Sequence, residues 1–203
     1  MEFWNSILTE KSWNILIALK KEPFHFVVIG GWAAYLWTKQ HKSKDIDIVL
    51  LDLKDLEYLK QRYTLQKNTS LKKYEIKFEE IDLDIYVPYY SQLTLPLHEI
   101  SSSRTKIEGI DVVAAEVLLI LKQGAELDRK DSVKGQKDRV DIMTLLYYAP
   151  FNFQKYRLLL EKHHLLHFRE RLKEIVRSFV DLKYLGINAK DFAKRKKEIL
   201  AEL

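Results

Sequence analysis

FHFVVIGGWAAYLWTKQHKSKDIDIVL, residues 24–50, decides how the rest of the chain is read. Phe24 to Ile29 is rich in aromatic and β-branched residues, which predicts a buried strand. Gly30-Gly31 marks a turn. Trp32 to Gln40 follows as a short helix with Trp32, Tyr35 and Leu36 on its inner side. Asp45 to Leu51 is a second apolar strand that opens with two aspartates. Asp45 and Asp47 are two apart, so on a strand they face the same side. Unpaired buried carboxylates are costly, so this pair is expected to meet water, a cation or a metal.

Outward from this stretch, the pattern changes character once. Residues 2–21 carry apolar positions Phe3, Trp4, Ile7, Leu8, Ile15, Leu16 and Leu19 at helical spacing, and Pro23 stops the helix. Downstream, Lys54 to Tyr63 has a helical period. Lys72 to Phe78 and Ile81 to Val87 read as strands joined through Glu79-Glu80 as a hairpin. The second of these carries another D-x-D, Asp82 and Asp84, on one face. Pro88 ends it, residues 88–104 read as a loop, and Lys106 to Val112 as one short strand around Gly109. From Val113 the signal is helical: Ala114 to Arg129, a turn at Asp131 to Lys134, then Gly135 to Tyr148, Phe153 to Lys162, His164 to Tyr184, and Ala189 to Leu203 with Asn188 as its N-cap. The expected fold class is α+β. A mixed sheet with flanking helices occupies residues 1–110, and a helical bundle residues 111–203.

Composition narrows the function classes. Of 203 residues 47% are hydrophobic and 31% charged, as in a folded water-soluble protein. No apolar run is long enough to span a bilayer and no secretory leader is evident, so a cytoplasmic protein without a membrane partner is expected. The absence of cysteine excludes disulfides, thiolate zinc sites and cysteine nucleophiles. A net charge of +5 is compatible with nucleotide or nucleic acid partners.

The carboxylates carry the chemistry. Asp45 and Asp47 on one strand, with Asp84 on a strand that can lie beside it, make a hard-oxygen site. That donor set suits Mg²⁺, which prefers carboxylates plus substrate phosphates. Two such ions can clamp the attacking and leaving oxygens of a phosphoryl or nucleotidyl transfer. Gly30 and Gly31, between a strand and a helix, let backbone N–H groups approach phosphate. Either feature alone is as easily a strand start or a turn; the two together after one strand point to the site. Other clusters read more plainly. His163, His164 and His167 belong to an exposed helix start, Trp32, Tyr35 and Trp37 to the core, and the Lys190–Lys197 charge run to a solvated face.

The order Ile29-Gly30-Gly31, thirteen residues, then Asp45-Ile46-Asp47, with an aspartate on a later strand, resembles the nucleotidyltransferase superfamily that includes DNA polymerase beta. Gly31 stands where many members have serine, so backbone contacts are left to hold the triphosphate. The resemblance implies that Asp45 and Asp47 bind metal and that Asp84, rather than its neighbour Asp82, completes the site as third ligand or general base. A second stretch, Glu116 to Lys122, Arg129, then KGQKDRVD from Lys134 to Asp141, resembles the AbiEii-like (MenA-like) toxin branch. That likeness implies nucleotide contacts by Lys122, Lys137, Asp138 and Asp141. What is implied is an enzyme using two Mg²⁺ ions and an NTP such as ATP, which moves an NMP to an acceptor hydroxyl on tRNA or protein within a toxin–antitoxin pair. The alternatives are a small-molecule, antibiotic-type nucleotidyltransferase and a catalytically inert nucleotide-binding or interaction module.

Overall fold

A computed structural model describes residues 6–203. Phe3 and Trp4, placed above in the first helix, lie outside the described residues. The chain divides after Ala114 into two units.

In the first unit, helix α1 (Ser6–Leu19) buries Leu16 and Leu19. Strand β1 (Phe26–Ile29) is buried throughout. Helix α2 (Gly30–Thr38) follows with no intervening loop, so the glycine pair opens the helix rather than preceding it. Strand β2 is Ile46–Leu50, and Asp45 sits in the bend before it. Helix α3 (Leu53–Arg62) is capped by Asp52, whose side chain accepts from Lys54 N. Three strands come next: β3 (Gln66–Asn68), β4 (Lys73–Phe78) and β5 (Ile81–Tyr86). Helix α4 (Leu97–Ser102) lies in the stretch read as loop. The single strand expected around Gly109 is a hairpin, β6 (Arg104–Ile107) and β7 (Ile110–Val113). Its turn puts Glu108 at φ 52° and Gly109 at φ 72°, the paired left-handed geometry that suits the twist of two-residue hairpins.

The seven strands form one mixed sheet in the order β3-β4-β5-β2-β1-β7-β6. β1 runs antiparallel to β2 and parallel to β7, and β2 runs parallel to β5. β1 and β2 are central, which explains their continuous apolar character. β5 alternates strictly: Ile81, Leu83 and Ile85 are buried, while Asp82, Asp84 and Tyr86 are half-buried on the opposite face. Trp32 is fully buried at 0% exposure, donates Nε1–H to Ser12 Oγ at 2.8 Å and meets the Trp13 ring, which docks α2 on α1. Trp37 donates to the Val113 carbonyl at 2.8 Å. Trp32 and Trp37 are therefore structural, and losing Trp32 would cost about 3–5 kcal/mol.

The second unit is helical: α5 (Ala115–Asp128), α6 (Val133–Tyr148), α7 (Phe153–Lys162), α8 (His167–Ser178), a 3₁₀ turn at Leu182–Tyr184, and α9 (Ala189–Glu202). Ser132, Asn152 and Asn188 cap α6, α7 and α9 through side-chain oxygens. The helix expected from His164 to Tyr184 is shorter. His163 closes α7, and His164 takes a left-handed φ of 57°, which breaks the helical path. His167 opens α8.

Candidate active site

Gly30 is fixed by two independent constraints. Its φ of +65° favours glycine, and a Cβ there would sit 2.1 Å from Asp47 Oδ2. The second constraint follows from register, because Ile29 on β1 lies directly across from Asp47 on β2. The chain turns into α2 beneath the Asp47 carboxylate. A Cβ on Gly31 would sit 2.5 Å from Ser43 Oγ, so the Ser43 hydroxyl fills the room left by the missing side chain. Ser43 is 4% exposed. Helix α2 has no side-chain cap bond and no acidic residue in its first turn. Its first N–H groups and positive dipole end are therefore suited to a bound anion.

The sheet register then aligns the acids. Asp47 on β2 pairs with Asp84 on β5, and Asp84 pairs with Glu75 on β4. Three carboxylates stand side by side on one face of three adjacent strands, about 4.8 Å apart along the hydrogen-bonding direction. Asp82 lies one step away, opposite Lys77, so Asp84 is the β5 aspartate beside Asp47. Lys73, two residues before Glu75, shares this face. Its Nζ lies 2.6 Å from Asp84 Oδ2 and 3.1 Å from Glu75 Oε1. The Asn68 amide donates to the same Glu75 oxygen at 2.9 Å.

These surroundings move the protonation equilibria. Burial pushes the Asp84 carboxyl up to about 7, the Asp47 charge adds to this, and Lys73 opposes it. Burial also pushes the Glu75 carboxyl up, but Asn68 and Lys73 outweigh it and the net shift is downward. For Lys73 burial pulls downward, and the bonds and charges of Asp84 and Glu75 outweigh it to leave the ammonium raised.

Two buried oxygens, Asp45 Oδ1 and Asp84 Oδ1, have no hydrogen-bond partner. Such orphans are rare in folded proteins and mark a place for a cation or a proton. Their hard, anionic character fits Mg²⁺ or Mn²⁺. Among the described residues, no three His, Cys, Asp or Glu side chains close into a ready-made cage. An ion that takes one or two protein carboxylates and completes its shell with water and phosphate suits this open arrangement.

The residues expected on the helical side fall into two groups. Lys122 Nζ lies 2.6 Å from Asp141 Oδ2 and 3.3 Å from Asp138 Oδ1. Arg129 adds two bonds to Asp138, at 2.7 Å from Nε and 3.1 Å from Nη2. Lys122, Asp138 and Asp141 are buried at 7%, 1% and 2% exposure, so they form an internal ion-pair network tying α5 to α6. Lys137, also on α6, is half-buried.

Sequence reading missed Ser43, Lys73, Glu75 and Asn68. Glu75 was readable in principle. A two-residue turn at Glu79-Glu80 pairs Phe78 with Ile81, and counting back along both strands sets Glu75 opposite Asp84. Ser43 lies two residues before Asp45, but nothing local shows that its hydroxyl folds onto Gly31.

No protein-family model and no curated protein matches this sequence. Solved structures do match. The structure of ANT(2")-Ia in complex with adenylyl-2"-tobramycin is 14% identical, aligns with 78% of this chain and 98% of its own, and gives a TM-score of 0.53. JHP933 from Helicobacter pylori is 17% identical over 98% of this chain and 91% of its own, with a TM-score of 0.51. A further structure, described as that of a putative nucleotidyltransferase from H. pylori, is 16% identical over 97% of this chain and 92% of its own, with a TM-score of 0.50. The mixed sheet, its flanking helices and the following helices constitute a nucleotidyltransferase-type fold. No helix among the described residues is long and apolar enough to cross a membrane.

Proposed function

We propose that the protein is a nucleotidyltransferase that moves a nucleoside monophosphate from an NTP to an acceptor hydroxyl. The observation that carries this reading is the place of Asp47, whose carboxylate lies against the glycine-opened start of α2 and in register beside Asp84, with Asp84 Oδ1 and Asp45 Oδ1 buried without a partner. Asp45, Asp47 and Asp84 are the residues that would hold Mg²⁺. Bound there, the cation supplies neutralisation of the charge on the phosphates. The backbone N–H groups at Gly30 and Gly31 and the Ser43 hydroxyl donate to phosphate oxygens. Asp84 takes the proton of the acceptor hydroxyl as general base. The acceptor oxygen bonds to the α-phosphorus, the bond from that phosphorus to the β-phosphate oxygen breaks, and pyrophosphate leaves. Lys137, half-buried on α6, enters the reading as a nucleotide contact of the helical unit, whereas the buried Lys122, Asp138 and Asp141 are bonded to one another and hold α5 on α6.

Two acceptor classes have support. The likeness of residues 116–141 to the AbiEii-like branch, with the net charge of +5, favours tRNA or a protein in a toxin–antitoxin setting. The fold likeness to ANT(2")-Ia bound to adenylyl-2"-tobramycin favours a small hydroxylated molecule. Incubation with α-labelled NTPs, Mg²⁺ and either total tRNA, lysate protein or an aminoglycoside panel separates them. Label is expected in one class with wild type and in none with Asp47→Asn. Equal labelling by Asp47→Asn contradicts the proposal.

A further inference from the structure

Lys73 is an unusual residue to find inside an acidic row. It is 8% exposed, and a lysine on an ordinary sheet face keeps its ammonium in water. Here it reaches diagonally from β4 to β5 and spends its donors on Asp84 Oδ2 at 2.6 Å and Glu75 Oε1 at 3.1 Å. Asn68 fixes Glu75 from the other side at 2.9 Å, so the lysine's second anchor is itself held. The consequence for Asp84 is asymmetric. One oxygen is taken by the ammonium, and the other, Oδ1, is left buried with no partner. Asp47 stands next to it in register.

We infer that Lys73 is a positioning residue that makes the site select a metal–nucleotide complex over the free metal. This rests on the metal-assisted reading above. Asp47, Asp84 and Glu75 bring three carboxyl groups together, and Lys73 bonds two of them. Without Lys73 the row would be a strong trap for any divalent cation. With it, a free cation must approach a fixed positive charge a few ångströms away, in surroundings where such repulsion is only partly screened. A cation arriving with a triphosphate brings its own negative charge, which turns the same ammonium from a repulsive neighbour into an attractive one. By holding Oδ2, Lys73 also leaves Oδ1 as the oxygen open to the metal. The arrangement couples metal entry to nucleotide entry, so the acidic row stays unfilled by metal until there is a phosphate to act on.

The test is a Mn²⁺ titration followed by electron paramagnetic resonance, with and without a non-hydrolysable α,β-methylene NTP, on wild type, Lys73→Gln, Lys73→Arg and Asp47→Asn. Glutamine keeps a donor for Asp84 while removing the charge; arginine keeps the charge. Lys73→Gln is expected to bind Mn²⁺ alone about tenfold more tightly than wild type, and the gain in Mn²⁺ affinity on adding nucleotide is expected to shrink by a similar factor. Lys73→Arg is expected to stay within about threefold of wild type. Circular dichroism and thermal melting check that each variant is folded. If Lys73→Gln binds Mn²⁺ no more tightly than wild type while Asp47→Asn loses it, the role given to Lys73 is wrong and the metal site stands. If, with the nucleotide present, wild type and Asp47→Asn bind Mn²⁺ equally, or neither binds it, the metal reading and this inference both fall.

Discussion

Among the described residues, two of the buried groups of charges are built to opposite rules. In the helical unit, Lys122 and Arg129 face Asp138 and Asp141, two cations against two carboxylates, with Asp138 held by both cations. In the sheet, Asp84 and Glu75 share one ammonium, Asp47 stands in register beside Asp84, and Asp84 Oδ1 has no partner, nor has Oδ1 of Asp45 just before β2. A balanced network returns much of the cost of desolvation through its internal bonds, so breaking it is expensive. An unbalanced one leaves part of that cost outstanding until a ligand arrives, and such places are where functional sites concentrate. The two regions look alike as counts of ion pairs; they differ in which atoms are satisfied.

The largest effect that would sharpen this contrast is on turnover. Asp47→Asn is expected to lower NMP transfer by at least about a thousandfold while leaving the melting temperature close to wild type, as read by labelled-NTP assay and thermal melting. The balanced network predicts the reverse kind of damage. Lys122→Met leaves Asp138 and Asp141 buried beside fewer cations, at 1% and 2% exposure, and is expected to cost about 3–5 kcal/mol in denaturant unfolding. Lys137→Ala, at a half-buried position, is expected to weaken NTP binding with little change in stability, which separates a nucleotide contact from a structural bond.

The pH dependence of the sheet site has a definite sign, set by Asp84. The Asp84 carboxyl lies near 7 in the folded protein against an ordinary 3.8, so the native state holds its proton more tightly than the unfolded chain. The metal-free protein should therefore lose stability as pH rises from about 4 to about 7, by at most about 4 kcal/mol, with no further loss from this group above that. Asp84→Asn removes the slope, and metal-free Asp84→Asn should be more stable than wild type at pH 8. If it is less stable there, as a Lys122 variant is expected to be, the contrast between the two regions fails. The smallest effect falls at the glycine corner. Ser43→Ala is expected to weaken Mg²⁺–NTP binding about tenfold with little loss of stability.

Much of the fold was legible because its signals are local. The run of apolar residues in β1 and β2, the strict alternation of β5, the turn at Glu79-Glu80 and the Asn188 cap each reside in a few consecutive residues. β3 and α4 were not legible. Gln66–Asn68 is three polar residues stabilised by pairing with β4, and Leu97–Ser102 is a six-residue helix with no side-chain cap. The acids at 45, 47 and 84 announced themselves through spacing. Their neighbours did not, because Lys73 and Glu75 look like any amphipathic strand until register sets Glu75 beside Asp84. The Lys122 network shows the converse. Asp138 and Asp141, three apart, share a helix face in sequence, but only the packing of α5 on α6 reveals that Lys122 bonds both aspartates.

The central claim is that the unbalanced acidic row and the glycine-opened helix form one metal and triphosphate site. Calorimetric titration of wild type and Asp47→Asn with each NTP, in Mg²⁺ and in EDTA, tests it most directly. NTP binding to wild type is expected to require Mg²⁺ and to be lost in Asp47→Asn. Binding of equal strength in EDTA, or equal binding by Asp47→Asn in Mg²⁺, would contradict it.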